Sequence, residues 1–170
     1  MDSEQLKKIN YALIDTFLIA GDRSIELRRI GLKKEIKSDN TPVTNGDIEV
    51  NKILTEKIKN ITSDIPIVSE ESTTNKSNNN LNDFWLIDPI DGTHDYINNK
   101  DEFTLNAGLI INKKPKLGII YAPAKKRLFY TYGNGSSFEL INNKEIQIKC
   151  EKKTKINQCH YYMAYQLVTV

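Results

Sequence analysis

The sequence predicts an α+β domain in which two amphipathic helices pack on a mainly antiparallel sheet. Three observations carry this reading. Before residue 64, apolar residues recur at spacings of three and four. After it the chain turns to short β-rich runs, and turn residues separate those runs.

The first helix is the stripe Leu6, Ile9, Leu13, Phe17 and Ala20, widened by Ile14 and Leu18. Asp2 caps it, and Gln5 three residues later completes a capping-box pattern. Gly21 bends or ends this helix, or the stripe runs on through Ile25 and Leu27 to Gly31. A second helix begins near Thr44, where Thr44-Asn45-Gly46-Asp47 is again a capping arrangement. It buries Val50, Leu54, Ile58 and Ile61. Residues 65–68 form a short apolar strand, residues 72–82 a polar loop, and residues 84–87 a strand that stops at Asp88-Pro89. The remaining strands cover 103–111, 116–121, 127–132, 137–140 and 145–148. Turns are expected at Lys114-Pro115, Ala122-Pro123, Gly133-Asn134-Gly135 and Asn142-Asn143. Residues 1–149 make one domain. Residues 150–170 have neither clear periodicity nor a helix cap, although their Tyr, Val and Thr would suit one more strand.

Composition narrows the function classes. Of 170 residues, 39% are hydrophobic and 27% charged, which suits a globular fold and not a disordered one. The 24 basic and 22 acidic side chains leave a net charge of +2, so nothing electrostatic argues for a nucleic acid or a membrane surface as partner. No apolar run approaches the ~20 residues that cross a bilayer. Met1-Asp2-Ser3-Glu4-Gln5 lacks the order of a secretion signal. Cys150 and Cys159 are the only cysteines and match no metal or redox spacing, so a reducing, cytoplasmic setting is expected. Peripheral association with the inner face of a membrane is the alternative. His94 and His160 make no zinc site, and Lys125-Lys126-Arg127 reads as a solvated turn.

The acidic residues are unevenly spread. Between Asp83 and Glu102 stand six carboxylates against one lysine, Lys100, and Glu70-Glu71 lies just upstream at the end of another apolar strand. Carboxylates gathered at strand ends need cations, and hard ions such as Mg2+ are the usual answer. In Asp88-Pro89-Ile90-Asp91-Gly92-Thr93, Pro89 stiffens the backbone between two carboxylates and the Ile90 carbonyl lies between them. Gly92 permits close backbone approach, and the amides after it would open a helix able to receive a phosphate. Each piece also has a plain reading. Asp88-Pro89 ends a strand, Gly92 makes a turn, Glu70-Glu71 is a solvated loop, and Asp47 caps a helix.

Taken together, these segments resemble the inositol monophosphatase superfamily of Mg2+-dependent, lithium-sensitive phosphatases. Asp88-Pro89-Ile90-Asp91-Gly92-Thr93 is similar to its metal-binding signature. Asn40-Thr41-Pro42-Val43-Thr44 with Asp47, then Ile67-Val68-Ser69-Glu70-Glu71, follow in the family's order. Asp95-Tyr96, Glu102-Phe103-Thr104-Leu105-Asn106 and Gly118-Ile119-Ile120-Tyr121-Ala122-Pro123 are most similar to the 3'(2'),5'-bisphosphate nucleotidase (CysQ-like) branch. The resemblance covers roughly residues 5–148. It implies the N-terminal half of the layered sugar-phosphatase fold. It also implies that Glu70, Asp88, Asp91 and the Ile90 carbonyl hold Mg2+. Gly92 and Thr93 would bind the scissile phosphate through backbone amides, beside Glu70, Ile90 and Asp91. Asp47, Thr93 and Glu70 would be the catalytic groups, the Thr93 hydroxyl with Asp47 orienting the attacking water. The implied reaction converts adenosine 3',5'-bisphosphate to AMP and phosphate. An inositol-phosphate or sugar-phosphate phosphatase, and an inactive remnant, are the other readings.

Full-length relatives have a second α/β half with a Trp-Asp-x-Ala motif whose aspartate is a further metal ligand. Here the one tryptophan, Trp85, is followed by Leu86. The chain therefore reads as lacking the second half, with residues 150–170 as an unmatched, out-of-frame tail. The expected consequences are an open metal site, reduced activity and self-association through exposed apolar surface.

Overall fold

The computed structural model describes residues 1–37, 41–72, 81–133 and 135–149. Asn40, Asn134 and the tail with Cys150, Cys159 and His160 lie outside the described residues. Helix α1 spans Ser3–Ile30 and is capped by Asp2, whose Oδ1 accepts from the Gln5 amide at 2.8 Å while Gln5 returns the bond to the Asp2 amide at 2.9 Å. The helix runs through Gly21 without a break. That glycine answers packing: a Cβ there would lie 2.2 Å from Cε1 of Tyr121. After α1, strands β1 (Lys34–Ile36) and β2 (Pro42–Thr44) pair antiparallel and lead into α2 (Asn45–Ile61), capped by Thr44. The β1–β2 pair was not expected from the sequence.

The rest of the chain is one seven-stranded sheet with a short helix inserted: β3 (Ile67–Ser69), β4 (Phe84–Asp91), α3 (Thr93–Ile97), β5 (Thr104–Ile111), β6 (Lys114–Ala122), β7 (Arg127–Thr131), β8 (Ser137–Ile141) and β9 (Lys144–Gln147). Neighbours in sequence are neighbours in the sheet, and every pair is antiparallel except β3 with β4. Two expectations need correction. The strand after Phe84 does not stop at Asp88-Pro89. It continues to Asp91, because its register against β5 shifts between Asp88 and Asp91 and the proline has no ladder bond to supply there. Lys114-Pro115 is not the turn. Asn112 and Lys113 turn the chain with φ of 52° and 58°, the twist that a two-residue hairpin requires. Asn142-Asn143 turn the β8–β9 hairpin in the same way, with φ of 50° and 60°.

Both long helices pack on one face of the sheet. Leu13, Phe17, Val50, Leu54 and Ile58 meet Trp85, Ile87, Leu105, Leu109 and Ile119 in a single core cluster. Burial of each large side chain contributes about 1.5–3 kcal/mol. The Trp85 indole also donates to Thr62 Oγ1 at 2.9 Å, so its polar atom is satisfied. On the opposite face the alternation sets Leu86, Ile110, Ile120, Phe129 and Ile141, half-buried and outside that cluster, around the small Gly108 and Gly118.

Candidate functional site

The site is assembled at the far end of β4. Because β3 runs parallel to β4 with Ser69 opposite Ile87, the next residue, Glu70, arrives beside Asp88. The Glu70 amide donates to the Ile87 carbonyl at 3.1 Å and fixes that approach. Across the other side of β4, Asn106 stands opposite Asp88 and Thr104 opposite Asp91. Asn106 Nδ2 donates to Asp91 Oδ2 at 3.3 Å. Gly92 follows with φ of 89°, a left-handed conformation that glycine adopts freely, and a Cβ there would lie 2.8 Å from the Glu102 carbonyl oxygen. Helix α3 opens at once. Its Tyr96 is buried, donates to the Ser24 carbonyl of α1 at 2.6 Å and lies against Gly46, where a Cβ would be 2.5 Å from the phenol oxygen. The α3 backbone is thereby pinned to both long helices.

Asp47 has two jobs in one carboxylate. As the third residue of α2, its Oδ2 accepts from the amide and the hydroxyl of Thr44, at 2.8 and 2.6 Å, which closes a capping box. Its Oδ1 faces Thr93 Oγ1 at 3.3 Å, and that hydroxyl also lies 3.0 Å from the Ile90 carbonyl. Burial pushes the Asp47 carboxyl above its ordinary range, while the bonds from Thr44 and Thr93 oppose the rise. The capping role and the contact with Thr93 are both real; they use different oxygens.

Asp88 is the most perturbed carboxyl group of the site. Burial, then the charges of Glu70 and Asp91, and more distantly Asp47, push its carboxyl up to about 8. Its Oδ1 is buried with no hydrogen-bond partner among the described residues. At the rim, Lys37 reaches Glu70 at 3.4 Å and Glu71 at 2.8 Å. Burial raises the Glu71 carboxyl, and Lys37 holds that rise in check. Among the described residues, no three acidic, histidine or cysteine side chains yet stand close enough to grip a metal ion. The donor set nonetheless fits a hard divalent cation. It offers oxygen ligands, excess negative charge and an orphaned buried carboxylate oxygen.

Sequence reasoning read Thr44 only as a helix cap, and missed Lys37 and Asn106 as parts of this constellation. A signal existed for the last: Thr104 and Asn106 put two polar side chains on one face of a strand whose other face is Leu105, Ala107 and Leu109. Asp95, by contrast, is taken up elsewhere. Lys100 lies 3.0 Å from its carboxylate and lowers its pKa.

Comparison with known proteins identifies the family. The model of the inositol monophosphatase family matches residues 2–168. The chain belongs to the inositol monophosphatase family. The 3'(2'),5'-bisphosphate nucleotidase CysQ of Haemophilus influenzae is 37% identical over 107 residues, 62% of this chain and 40% of that protein. The CysQ of Salmonella typhimurium is 37% identical over 115 residues, 66% of this chain and 47% of that protein. The chain thus spans less than half the length of these relatives. Among solved structures, CysQ of Bacteroides thetaiotaomicron, a bacterial member of this family, superimposes with a TM-score of 0.57 at 30% identity, covering 76% of this chain and 47% of that one. An IMPase of Thermotoga maritima shares the fold with a TM-score of 0.72 at 23% identity, over 90% of this chain and 57% of its own. An IMPase/NADP phosphatase solved with Mg2+ and phosphate shares it with a TM-score of 0.68 at 22% identity, over 79% of this chain and 51% of that one. Among the described residues no helix is long and apolar enough to cross a membrane.

Proposed function

We propose that this family member is built for Mg2+-dependent hydrolysis of a phosphate monoester, with adenosine 3',5'-bisphosphate as substrate and AMP and phosphate as products, in a cytoplasmic setting. The observation that carries the reading is the Asp47–Thr93 pair beside the Glu70, Asp88 and Asp91 carboxylates. Glu70, Asp88, Asp91 and the Ile90 carbonyl would hold the cation. When bound, Mg2+ acidifies water and offsets negative charge on the phosphoryl group. The chain's own residues do the positioning. Asp47 Oδ1 takes the Thr93 hydroxyl proton in a hydrogen bond, which turns the lone pairs of Thr93 Oγ1 toward a water. Asp47, with its raised proton affinity, is a better proton acceptor than a solvated carboxylate. Gly92, held in the left-handed region close against the Glu102 carbonyl, makes the turn from which the amides of Gly92 and Thr93 would bind the phosphate.

The nucleotide is preferred to an inositol phosphate because relatives at 36–37% identity bear the CysQ name. The segment Thr104–Asn106, which resembles that branch, adjoins the site. The test is phosphate release from adenosine 3',5'-bisphosphate and from inositol 1-phosphate, with Mg2+ and with added lithium. Release from the nucleotide that lithium inhibits and Asp91→Asn abolishes is the expected result. Undiminished turnover by Asp91→Asn places the chemistry elsewhere. A preference for inositol 1-phosphate replaces the substrate, and no release from either favours the inactive remnant.

A further inference from the structure

We propose that Asn106 is a positioning residue for the acidic pair of β4. Its amide N–H holds Asp91, and its amide oxygen receives a hydrogen bond from water carried by a hydrated divalent cation. The proposal rests on the metal reading above. Asn106 is only 3% exposed, and Nδ2 spends itself on Asp91 Oδ2 at 3.3 Å. Its Oδ1 is buried with no partner among the described residues, and so is Oδ1 of Asp88, the residue directly opposite it on the neighbouring strand. Residues so paired carry Cβ atoms about 4.5–5.5 Å apart. With Asp88 ionised, as a bound cation would keep it, two buried acceptors stand on adjacent strands with no donor between them among the described residues. An acceptor left unsatisfied is destabilising, a penalty that a donor between them would remove. Magnesium sheds water reluctantly and keeps several molecules when bound by a few carboxylates. Water held in that way would offer a hydrogen to Asn106 Oδ1.

The residue type fits the task. Aspartate at this position would add a like charge to a cluster that already forces a proton onto Asp88. Leucine, of nearly equal size, would supply neither the donor for Asp91 nor the acceptor. If Asn106 were only a strand residue, leucine would remove a poorly satisfied buried amide and change nothing else. The two roles therefore predict opposite pairings of stability and cation affinity.

The experiment uses the full 170-residue chain, with Mn2+ alone as probe and the free ion counted by electron paramagnetic resonance. Urea unfolding of the metal-free chain is recorded alongside. Asn106→Leu is expected to bind Mn2+ about 10–100-fold more weakly, with a metal-free midpoint equal to or above that of the parent. Asn106→Thr, which favours strands and is too short to reach Asp91, carries the same affinity expectation should the leucine variant not fold. Parent-like Mn2+ affinity in the folded variant overturns the proposal. An affinity that falls only in step with metal-free stability makes Asn106 a structural residue and overturns it equally. No Mn2+ binding by the parent chain removes the metal reading and this inference together, whereas parent binding that Asp91→Asn abolishes and Asn106→Leu leaves intact removes this inference alone.

Discussion

Asp88→Asn should make the metal-free protein more stable while destroying its affinity for a divalent cation. The folded state raises the Asp88 pKa from 3.8 to about 8, through burial first and then through Glu70 and Asp91. The sign follows from proton counts: between about pH 4 and pH 8 the folded chain holds a proton at Asp88 that the unfolded chain has lost. Stability from this group is greatest at low pH and declines as pH rises through that window. At pH 7 the difference amounts to on the order of 4 kcal/mol of instability, which a neutral asparagine does not carry. The assay is urea unfolding of both proteins at several pH values in a chelator, repeated with Mg2+. The parent should lose stability relative to the variant as pH climbs, and Mg2+ should rescue the parent alone. The reasoning is refuted if the two profiles run parallel, or if the variant is the less stable at pH 8 without metal.

Two further outcomes follow from packing. Gly46→Ala places a Cβ 2.5 Å from the Tyr96 hydroxyl and must push it off the Ser24 carbonyl, so a loss of about 1–3 kcal/mol by urea unfolding is expected; a gain, which helix propensity alone would give, counts against the α2–α3 contact. Ile120→Lys, on the half-buried sheet face away from the helices, should weaken binding of a hydrophobic dye and shift the oligomer distribution toward monomer in light scattering, with little change in the unfolding midpoint. Unchanged dye binding would show that this face is not the sticky one.

What the sequence revealed is what depends on near neighbours in the chain. The α1 stripe, both capping boxes and the Asn142-Asn143 turn each need only a few consecutive residues, and all three appear in the structure. Of the three prolines read as breaks, Pro123 does end a strand, whereas Pro89 and Pro115 lie within strands, at or beside a shift in register. A proline tells only that one amide bond is missing; whether the partner strand asks for that bond is decided a dozen or more residues away. Gly21 misleads for the same reason, since the ring of Tyr121 that demands a glycine is a hundred positions downstream. The carboxylates of the site announced themselves by density. Asn106 did not, because what matters about it is the carboxylate it touches on the neighbouring strand.

The parallel pairing of β3 with β4 separates what the site needs from what the chain can vary. Glu70 meets Asp88 because Ser69 stands opposite Ile87, and that adjacency is written into the sheet's register alone. In general, the length of a connection between paired strands changes the closure cost by only about 0.6 kcal/mol for each doubling. The meeting of Glu70 with Asp88 thus depends on which residues stand opposite each other in the sheet and little on how far apart the two lie in sequence.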